Sequence, residues 1–376
     1  MRPIQMVDLK AQYQAIKEDV NAAILDCIES GAFINGPYVK SFKAHLEEYL
    51  AVNTVVPCAN GTDALQIALM GLGLNPGDEI IVPTFTYVAT AEVIGLLQLT
   101  PVMVDVDPDT FNVTAAIIEA AISPKTKAIV PVHLFGQSAD MEPILELAKK
   151  HKLYVIEDNA QAIGADYTFS NGTVQKTGTL GDIGCTSFYP SKNLGAYGDG
   201  GALFTQDETL GKHLQMIASH GQNKRYYHEC IGVNSRLDSI QAAILDIKLA
   251  KLDAYAAARQ EVAAYYDQTL GNIEGLQIPV RQHNSTHVFH QYTLKVPADK
   301  RAELKTYLQE RGIPSMIYYP VPLNEQNAFK SITRSATPSF PVTEQLCQTV
   351  LSLPIHTEME EEQLAHISQA IQAFFS

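Results

Sequence analysis

Between Val55 and Thr205 the chain alternates short apolar runs with stretches of helical periodicity, and this alternation constrains the fold more than any other feature of the sequence. Parallel strands are buried on both faces and need crossover helices, so they read as continuous apolar runs separated by helical patterns. The pattern predicts an α/β layered domain with a mostly parallel sheet, whose ligands gather at the carboxyl ends of the strands. The runs are VVPCA, EIIVPTF, PVMVDVD, AIVPVHLF, LYVIED, GCTSFYP and GALFT.

The last third of the chain has a different pattern, which predicts a smaller α+β domain. A long helical segment is expected from Ser235 to about Leu270, where the chain leaves the large domain. Beyond it, HVFHQYTLKV alternates like a strand, and a helix is expected near Arg301 to Gln309. The expected domains are residues 1–250, a large α/β domain with the N-terminal segment, and residues 251–376, a small C-terminal α+β domain.

Composition narrows the class of protein. A chain of 376 residues with 46% hydrophobic content can bury the cores of two domains. Its net charge of -14 disfavours nonspecific binding to nucleic acid or to an anionic membrane, so small molecules or another subunit are the expected partners. Five scattered cysteines without a CxxC pair argue against a disulfide framework and a thiolate zinc site. With charges near the start and no run of 18 uncharged apolar residues, the protein is expected to be cytoplasmic.

A single lysine, Lys192, lies between an apolar run and a glycine-rich turn in TSFYPSKNLGAYGDGG. The run before it predicts a mostly buried strand, and the glycines after it permit close approach of the backbone. A lysine held there is partly desolvated, which favours the neutral amine that attacks carbonyl groups. An ordinary hydrated surface lysine is equally consistent with this stretch alone.

Two further segments supply groups of complementary chemistry. In CANGTDALQIAL a strand ends and a helix begins, so free amides around Gly61, Thr62 and Asp63 would bind a phosphate, although a simple helix cap by Asp63 fits better locally. Asp158 directly follows the apolar run LYVIE, where a buried strand would deliver a carboxylate to the ligand-bearing edge; a helix cap is again the better local alternative. An amine, a phosphate cradle and a carboxylate in one α/β domain are the groups that pyridoxal phosphate requires.

Several ordered motifs resemble one family of enzymes over nearly the whole chain. They are NGTDALQIAL, TFTYVATAEVI, EDNAQAIGA, SFYPSKNLGAYGDGGALFT and GVNSRLDSIQAAIL. Together they resemble the nucleotide-sugar aminotransferases of the DegT/DnrJ/EryC1/StrS family, which depend on pyridoxal 5'-phosphate. The resemblance implies the aspartate-aminotransferase-like (type I) fold of pyridoxal-phosphate enzymes.

The resemblance also implies roles for individual residues. Lys192 would be the Schiff-base lysine, and Asp158 would pair with the pyridine nitrogen. Gln161 would lie near the ring hydroxyl, and Tyr87 would stack on the ring. The residues implied around the phosphate are Gly61, Thr62, Asp63 and Ser187, with Asn234 reaching it from the neighbouring subunit. The active site would therefore require a homodimer.

The substrate implied by the resemblance is a nucleotide-linked keto-sugar, with glutamate as the amino donor. The combination of SHGQNKRYYHECIGVNSRLD with TFTYVATAEV and YYPVPLN is most similar to members that act on a UDP-linked 2-acetamido-3-keto-glucuronic acid for cell-surface polysaccharides such as lipopolysaccharide. Because that sugar carries a carboxylate and a diphosphate, Arg236 is the candidate for the carboxylate. Lys224 and Arg225 are candidates for the remaining charge, unless they face water on a solvated loop. Tyr318 and Tyr319 complete the expected substrate-binding set.

The sequence departs from the family pattern at two positions, and it also allows other functions to be compared with the one implied. Asn159 stands where many members carry Ala, and Tyr318 where many carry His. A dTDP-linked 3- or 4-keto-6-deoxy-sugar aminotransferase is the nearest rival. A dehydrogenase is disfavoured because GAYGDGG does not fit G-x-G-x-x-G. A metal site at His283, His287 and His290 is disfavoured because strand alternation sends the last two to opposite faces.

Overall fold

Helices and strands alternate along the chain in a computed structural model, which describes residues 1–335, 337 and 339–376. The helices are α1 (Leu9–Ala15), α2 (Lys17–Ser30), α3 (Pro37–Leu50), α4 (Gly61–Gly71), α5 (Ala89–Leu96), α6 (Ala115–Ala121), α7 (Met141–His151), α8 (Glu208–Ala218), α9 (Ser239–Leu249), α10 (Leu252–Leu270), α11 (Ala298–Glu310), α12 (Pro341–Thr349) and α13 (Glu361–Phe375). The strands are β1 (Thr54–Cys58), β2 (Glu79–Pro83), β3 (Thr100–Val104), β4 (Thr126–Ile129), β5 (Tyr154–Asp158), β6 (Asp166–Thr168), β7 (Val174–Lys176), β8 (Ile183–Ser187), β9 (Gly201–Thr205), β10 (Gln222–Lys224), β11 (Tyr227–His228), β12 (Tyr292–Lys295), β13 (Arg334–Ser335) and β14 (Val350–Leu353). Short 3₁₀ helices lie at Leu134–Gly136 and Leu323–Glu325.

A large sheet with the strand order β1, β9, β8, β5, β4, β2, β3, β13 occupies the centre of the fold. Its strands are parallel except for β9, which runs antiparallel to both β1 and β8. The predicted apolar runs all contribute to this sheet, so the mostly parallel α/β layer is confirmed. No α-helix separates β8 from β9, and a connection without a crossover helix returns the chain antiparallel.

This topology brings functional loops to one edge of the sheet. β1 and β8 both run antiparallel to β9, so they are parallel to each other. The parallel pairings of β8 with β5, β5 with β4 and β4 with β2 give β5 and β2 the same direction. The carboxyl ends of β1, β2, β5 and β8 therefore lie at the same edge, which is where ligands of open α/β sheets bind.

The C-terminal third differs in detail from the prediction. The helical segment expected from Ser235 to Leu270 is two helices, α9 and α10, separated at Ala250 and Lys251. It begins only after Asp238, because the amide of Ser235 donates to the carbonyl of Ala218 and keeps the chain extended. The strand predicted in HVFHQYTLKV is limited to β12, since Phe289 has a left-handed backbone (φ 48°) that interrupts an extended chain.

Residues from the C-terminal third also pack against the large sheet. Leu323, Phe329 and Phe340 join the core on the side of α4 and α5, while Leu346 and Val350 join the core on the other side. A separate core forms between α10, α11, α13 and the sheet of β12 and β14. The division into domains at residue 250 stays a prediction. Within the described residues, no helix combines the length and apolar character needed to cross a bilayer.

Candidate active site

A cavity of about 730 Å³ lies at the edge of the sheet where β1, β2, β5 and β8 end. Most of the residues singled out from the sequence line it. They are Gly61, Thr62, Asp63, Tyr87, Asp158, Gln161, Ser187, Lys192, Tyr318 and Tyr319. These residues come from segments up to 258 positions apart (319 − 61), so the sheet topology, rather than sequence proximity, brings them together.

Lys192 lies in the loop that joins β8 to β9. Its backbone amide donates to the carbonyl of Tyr189 at 2.8 Å, and the next side chain, Asn193, donates to the carbonyl of Val288 at 2.9 Å. Burial lowers the pKa of the Lys192 ammonium to about 8, although the nearby carboxylate of Asp158 opposes the shift. A pKa of about 8 leaves roughly a tenth of the amine neutral at pH 7, against less than about one part in a thousand for an ordinary lysine. The hypothesis of a desolvated lysine thus agrees with the structure.

Asp158 ends β5 and is buried, with 6% of its surface exposed. One carboxylate oxygen accepts a hydrogen bond from the hydroxyl of Thr90 at 2.7 Å, and the other accepts from the amide of Ala160 at 3.2 Å. An ionised carboxylate can accept about four hydrogen bonds, so acceptor capacity remains for a donor in the cavity. The alternative of a helix cap does not apply, because turns follow Asp158 and the next α-helix along the chain is α8.

The start of α4 fits an anionic group. The side chain of Asn60 caps the helix by accepting from the amide of Asp63 at 2.8 Å, so Asn60 rather than Asp63 is the capping residue. The amides of Gly61 and Thr62 begin the helix, where they have no acceptor within it. A Cβ at Gly61 would lie 2.6 Å from the Cβ of Ser187, so the glycine permits the close approach of the serine to the helix start. Backbone amides and a hydroxyl at a helix N-terminus form a cradle for a phosphate.

Aromatic side chains form another wall of the cavity. Gln161 accepts from the amide of Phe135 at 2.8 Å and donates to the Tyr319 hydroxyl at 3.2 Å, which fixes its amide. Burial raises the pKa of Tyr319, so its hydroxyl stays protonated. The ring of Tyr87 lies 6.4 Å from that of Tyr319 and is 58% exposed, which leaves a face available to a planar ligand.

Four predicted residues do not line the cavity of a single chain. Lys224 and Arg225 are exposed on the hairpin of β10 and β11, where each lies over a neighbouring tyrosine ring. Asn234 is exposed in an isolated bridge with Ser219, and Arg236 is half-buried just before α9. Within one chain, these four residues therefore lie apart from the ten predicted residues that line the cavity.

Sequence analysis missed two residues in or next to the cavity. Thr90, on α5, holds Asp158, but nothing in its spacing indicated that α5 reaches the end of β5. His290 lines the cavity and is buried, and its pKa is lowered by burial first and then by the charges of Lys192 and Arg259. The sequence pattern had singled out His290 only as a metal ligand. Among the described residues, no group of three or more His, Cys, Asp or Glu side chains could hold a metal ion.

A desolvated amine, a buried carboxylate and an anion cradle around one cavity of an α/β sheet are the groups that a pyridoxal-phosphate enzyme requires. Residues 14–372 match the model of the DegT/DnrJ/EryC1/StrS aminotransferase family. The chain belongs to this family. It is a pyridoxal-phosphate-dependent nucleotide-sugar aminotransferase with the type I fold, as predicted.

Individual relatives match over almost their entire length. The UDP-2-acetamido-2-deoxy-3-oxo-D-glucuronate aminotransferase of Pseudomonas aeruginosa is 43% identical over 98% of this chain and 99% of its own. The UDP-N-acetyl-3-dehydro-alpha-D-glucosamine 3-aminotransferase of Acidithiobacillus ferrooxidans is 46% identical over 98% of this chain and 97% of its own. The crystal structure of DesV from S. venezuelae in complex with a ketimine intermediate is 38% identical, covers 100% of this chain and 99% of its own, and superposes with a TM-score of 0.95.

Proposed function

We propose that the protein transfers the amino group of glutamate to C3 of a UDP-linked 2-acetamido-2-deoxy-3-oxo sugar, with the 3-oxo-glucuronic acid preferred. The observation that carries this proposal is the Lys192 amine facing the same cavity as Asp158, in a chain similar over its full length to two aminotransferases named for such sugars. The product would serve the synthesis of cell-surface polysaccharides such as lipopolysaccharide, in the cytoplasm.

In this proposal the cavity residues bind the cofactor and move the proton of the reaction. Bound pyridoxal phosphate supplies an electron sink for the negative charge that develops at the substrate carbon. Lys192 would hold the cofactor before substrate arrives and would then act as the general base that moves a proton at the substrate carbon. Asp158 keeps a proton on the pyridine nitrogen. The start of α4 and the Ser187 hydroxyl hold the phosphate, and Tyr87 packs against the ring.

The four residues outside the cavity belong, in this proposal, to the active site of a second copy. Asn234 would reach the phosphate across a homodimer interface, and Arg236, Lys224 and Arg225 would bind the anionic groups of the sugar nucleotide. The surface around them supports an interface, because Tyr226, Tyr227 and Ile231 are exposed by 77%, 64% and 87%. Neighbouring apolar side chains with such exposure mark an interaction surface.

The substrate assignment is tested with a panel of nucleotide sugars. Purified protein with pyridoxal phosphate and glutamate is offered the UDP-linked 3-oxo-glucuronate, the uncharged UDP-linked 3-oxo-glucosamine derivative, and dTDP-linked 3- and 4-keto-6-deoxy sugars. We expect amination of the UDP-linked 3-keto sugars, detected by the mass of the product, with the uronate aminated fastest. Amination of the dTDP-linked sugars alone would contradict the proposal and support the rival function.

A second prediction concerns the sugar carboxylate. Arg236→Gln should lower kcat/KM for the uronate about 10- to 100-fold more than for the uncharged 3-keto sugar, because a charge-assisted hydrogen bond contributes about 1.5–3 kcal/mol. The control is Lys212→Gln, which removes an exposed cation on α8 that pairs with Glu208 one helical turn away. An equal loss on both sugars would show that Arg236 does not recognise the carboxylate.

A further inference from the structure

Lys248, on α9, is a buried lysine to which neither the sequence pattern nor the family resemblance gives a role. It is only 1% exposed, although lysine is among the residues least often buried. Its ammonium group donates to the carbonyl of Gly195 at 2.6 Å and lies 4.6 Å from the centre of the Tyr197 ring. Burial lowers its pKa to about 8. No carboxylate pairs with Lys248 among the described residues, and the contacts of its ammonium group are those with Gly195 and Tyr197 in one loop.

Gly195 belongs to the loop that carries Lys192. The loop is folded back on itself, since the amide of Lys192 donates to Tyr189 and the amide of Ala196 donates to Phe188, both at 2.8 Å. A Cβ at position 195 would overlap the carbonyl oxygen of Pro190, which shows how closely the two limbs of the loop approach each other. A displacement of the Gly195 carbonyl would therefore move the short turn from which the Lys192 side chain extends.

A second side chain of α9 holds the same loop. Gln241 accepts from the amide of Tyr197 at 2.8 Å, and a Cβ at Gly198 would lie 3.0 Å from the Gln241 amide nitrogen. Gln241 and Lys248 are seven residues apart, which places them on the same face of the helix two turns from each other. One helix face thus contacts the loop at two points beyond Lys192.

We propose that Lys248, supported by Gln241, is a positioning residue for the reaction: it fixes the Gly195 carbonyl and thereby the place of the Lys192 amine relative to the cofactor carbon that this amine attacks. Lys248 does not line the cavity, so it acts through the loop. An error of about 1 Å in the position of a reacting group can cost about 100-fold in rate. The inference rests on the role of Lys192 proposed above.

The test uses two forms of the cofactor on Lys248→Met, which removes the donor with little change in side-chain length. Pyridoxal phosphate attaches covalently to Lys192, whereas pyridoxamine phosphate carries an amine in place of the aldehyde and binds through noncovalent contacts alone. We expect the rate of covalent attachment to fall about 10- to 100-fold, while the Kd for pyridoxamine phosphate changes less than about two-fold. Attachment is followed by borohydride reduction of timed samples and mass spectrometry of the Lys192 peptide.

Controls separate the possible outcomes. Lys251→Met changes a lysine between α9 and α10 whose side chain makes no capping hydrogen bond, and it should attach the cofactor at the wild-type rate. If Lys248→Met does not fold, Gln241→Met provides the same readout for the second contact. The positioning role is overturned if Lys248→Met attaches pyridoxal phosphate at the wild-type rate. It is also overturned if the affinity for pyridoxamine phosphate falls by as large a factor as the attachment rate. If borohydride reduction of the wild-type protein fixes the cofactor to another residue, the role of Lys192 itself is contradicted.

Discussion

Replacement of Lys192 by alanine should abolish amino transfer and covalent attachment of the cofactor while the chain remains folded. The variant lacks both the nucleophile and the general base, and loss of proton transfer alone typically costs about 10²- to 10⁴-fold. The free energy of unfolding should not fall. Because the folded-state pKa of Lys192 is lowered to about 8, burying its charged form destabilises the fold at neutral pH, and alanine removes that cost.

Two measurements check the Lys192 prediction. Steady-state assays with glutamate and the best sugar of the panel give the loss of turnover, and borohydride reduction followed by digestion locates the attached cofactor. Lys192→Arg is the matched variant: it keeps a positive charge but has no neutral amine near pH 7, so it should be as inactive as Lys192→Ala. Retention of the full transaminase rate in either variant would refute the assignment.

The parts of the fold that the sequence predicts are those determined by local pattern. Buried parallel strands require continuous apolar runs, so the sequence predicts the strands of the large sheet. Residues directly after those runs, such as Asp158, lie at the ligand-binding edge. The sequence also predicts the place of Lys192, because this residue lies in the short glycine-rich connection that directly follows β8. In these segments local propensity and global architecture agree.

The features that escaped prediction depend on contacts distant in sequence. Thr90 and Asp158 are 68 residues apart, and their hydrogen bond forms because the fold places the start of α5 near the carboxyl end of β5. The backbone of Phe289 adopts a left-handed conformation that no residue pattern signals, so the predicted strand was too long. The sequence around Lys248 is typical of an exposed lysine on a helix, and only the fold shows that its ammonium group donates to the carbonyl of Gly195. Tertiary packing, rather than local propensity, decides each of these cases.

Asp158→Asn should lower kcat about 10²- to 10³-fold, comparable to the loss of one preorganised charged partner in other active sites. Asparagine has nearly the same shape: its amide oxygen can accept from the amide of Ala160, and its amide nitrogen can donate to the hydroxyl of Thr90, so the loop and the cavity should be preserved. What it lacks is the negative charge that keeps a proton on the pyridine nitrogen.

The same substitution should also change the titration of Lys192, which separates an electrostatic effect from damage to the fold. Asp158 raises the pKa of Lys192 against the effect of burial, so without this carboxylate the pKa should fall below its present value of about 8. The pH at which the unliganded protein begins to react with an amine-selective reagent at Lys192 should therefore move to lower pH. Asp182→Asn is the control, because this carboxylate precedes β8 at the opposite edge of the sheet and accepts from the amide of Val155. A loss of turnover in Asp158→Asn without a shift in the Lys192 titration would show that Asp158 does not act through its charge.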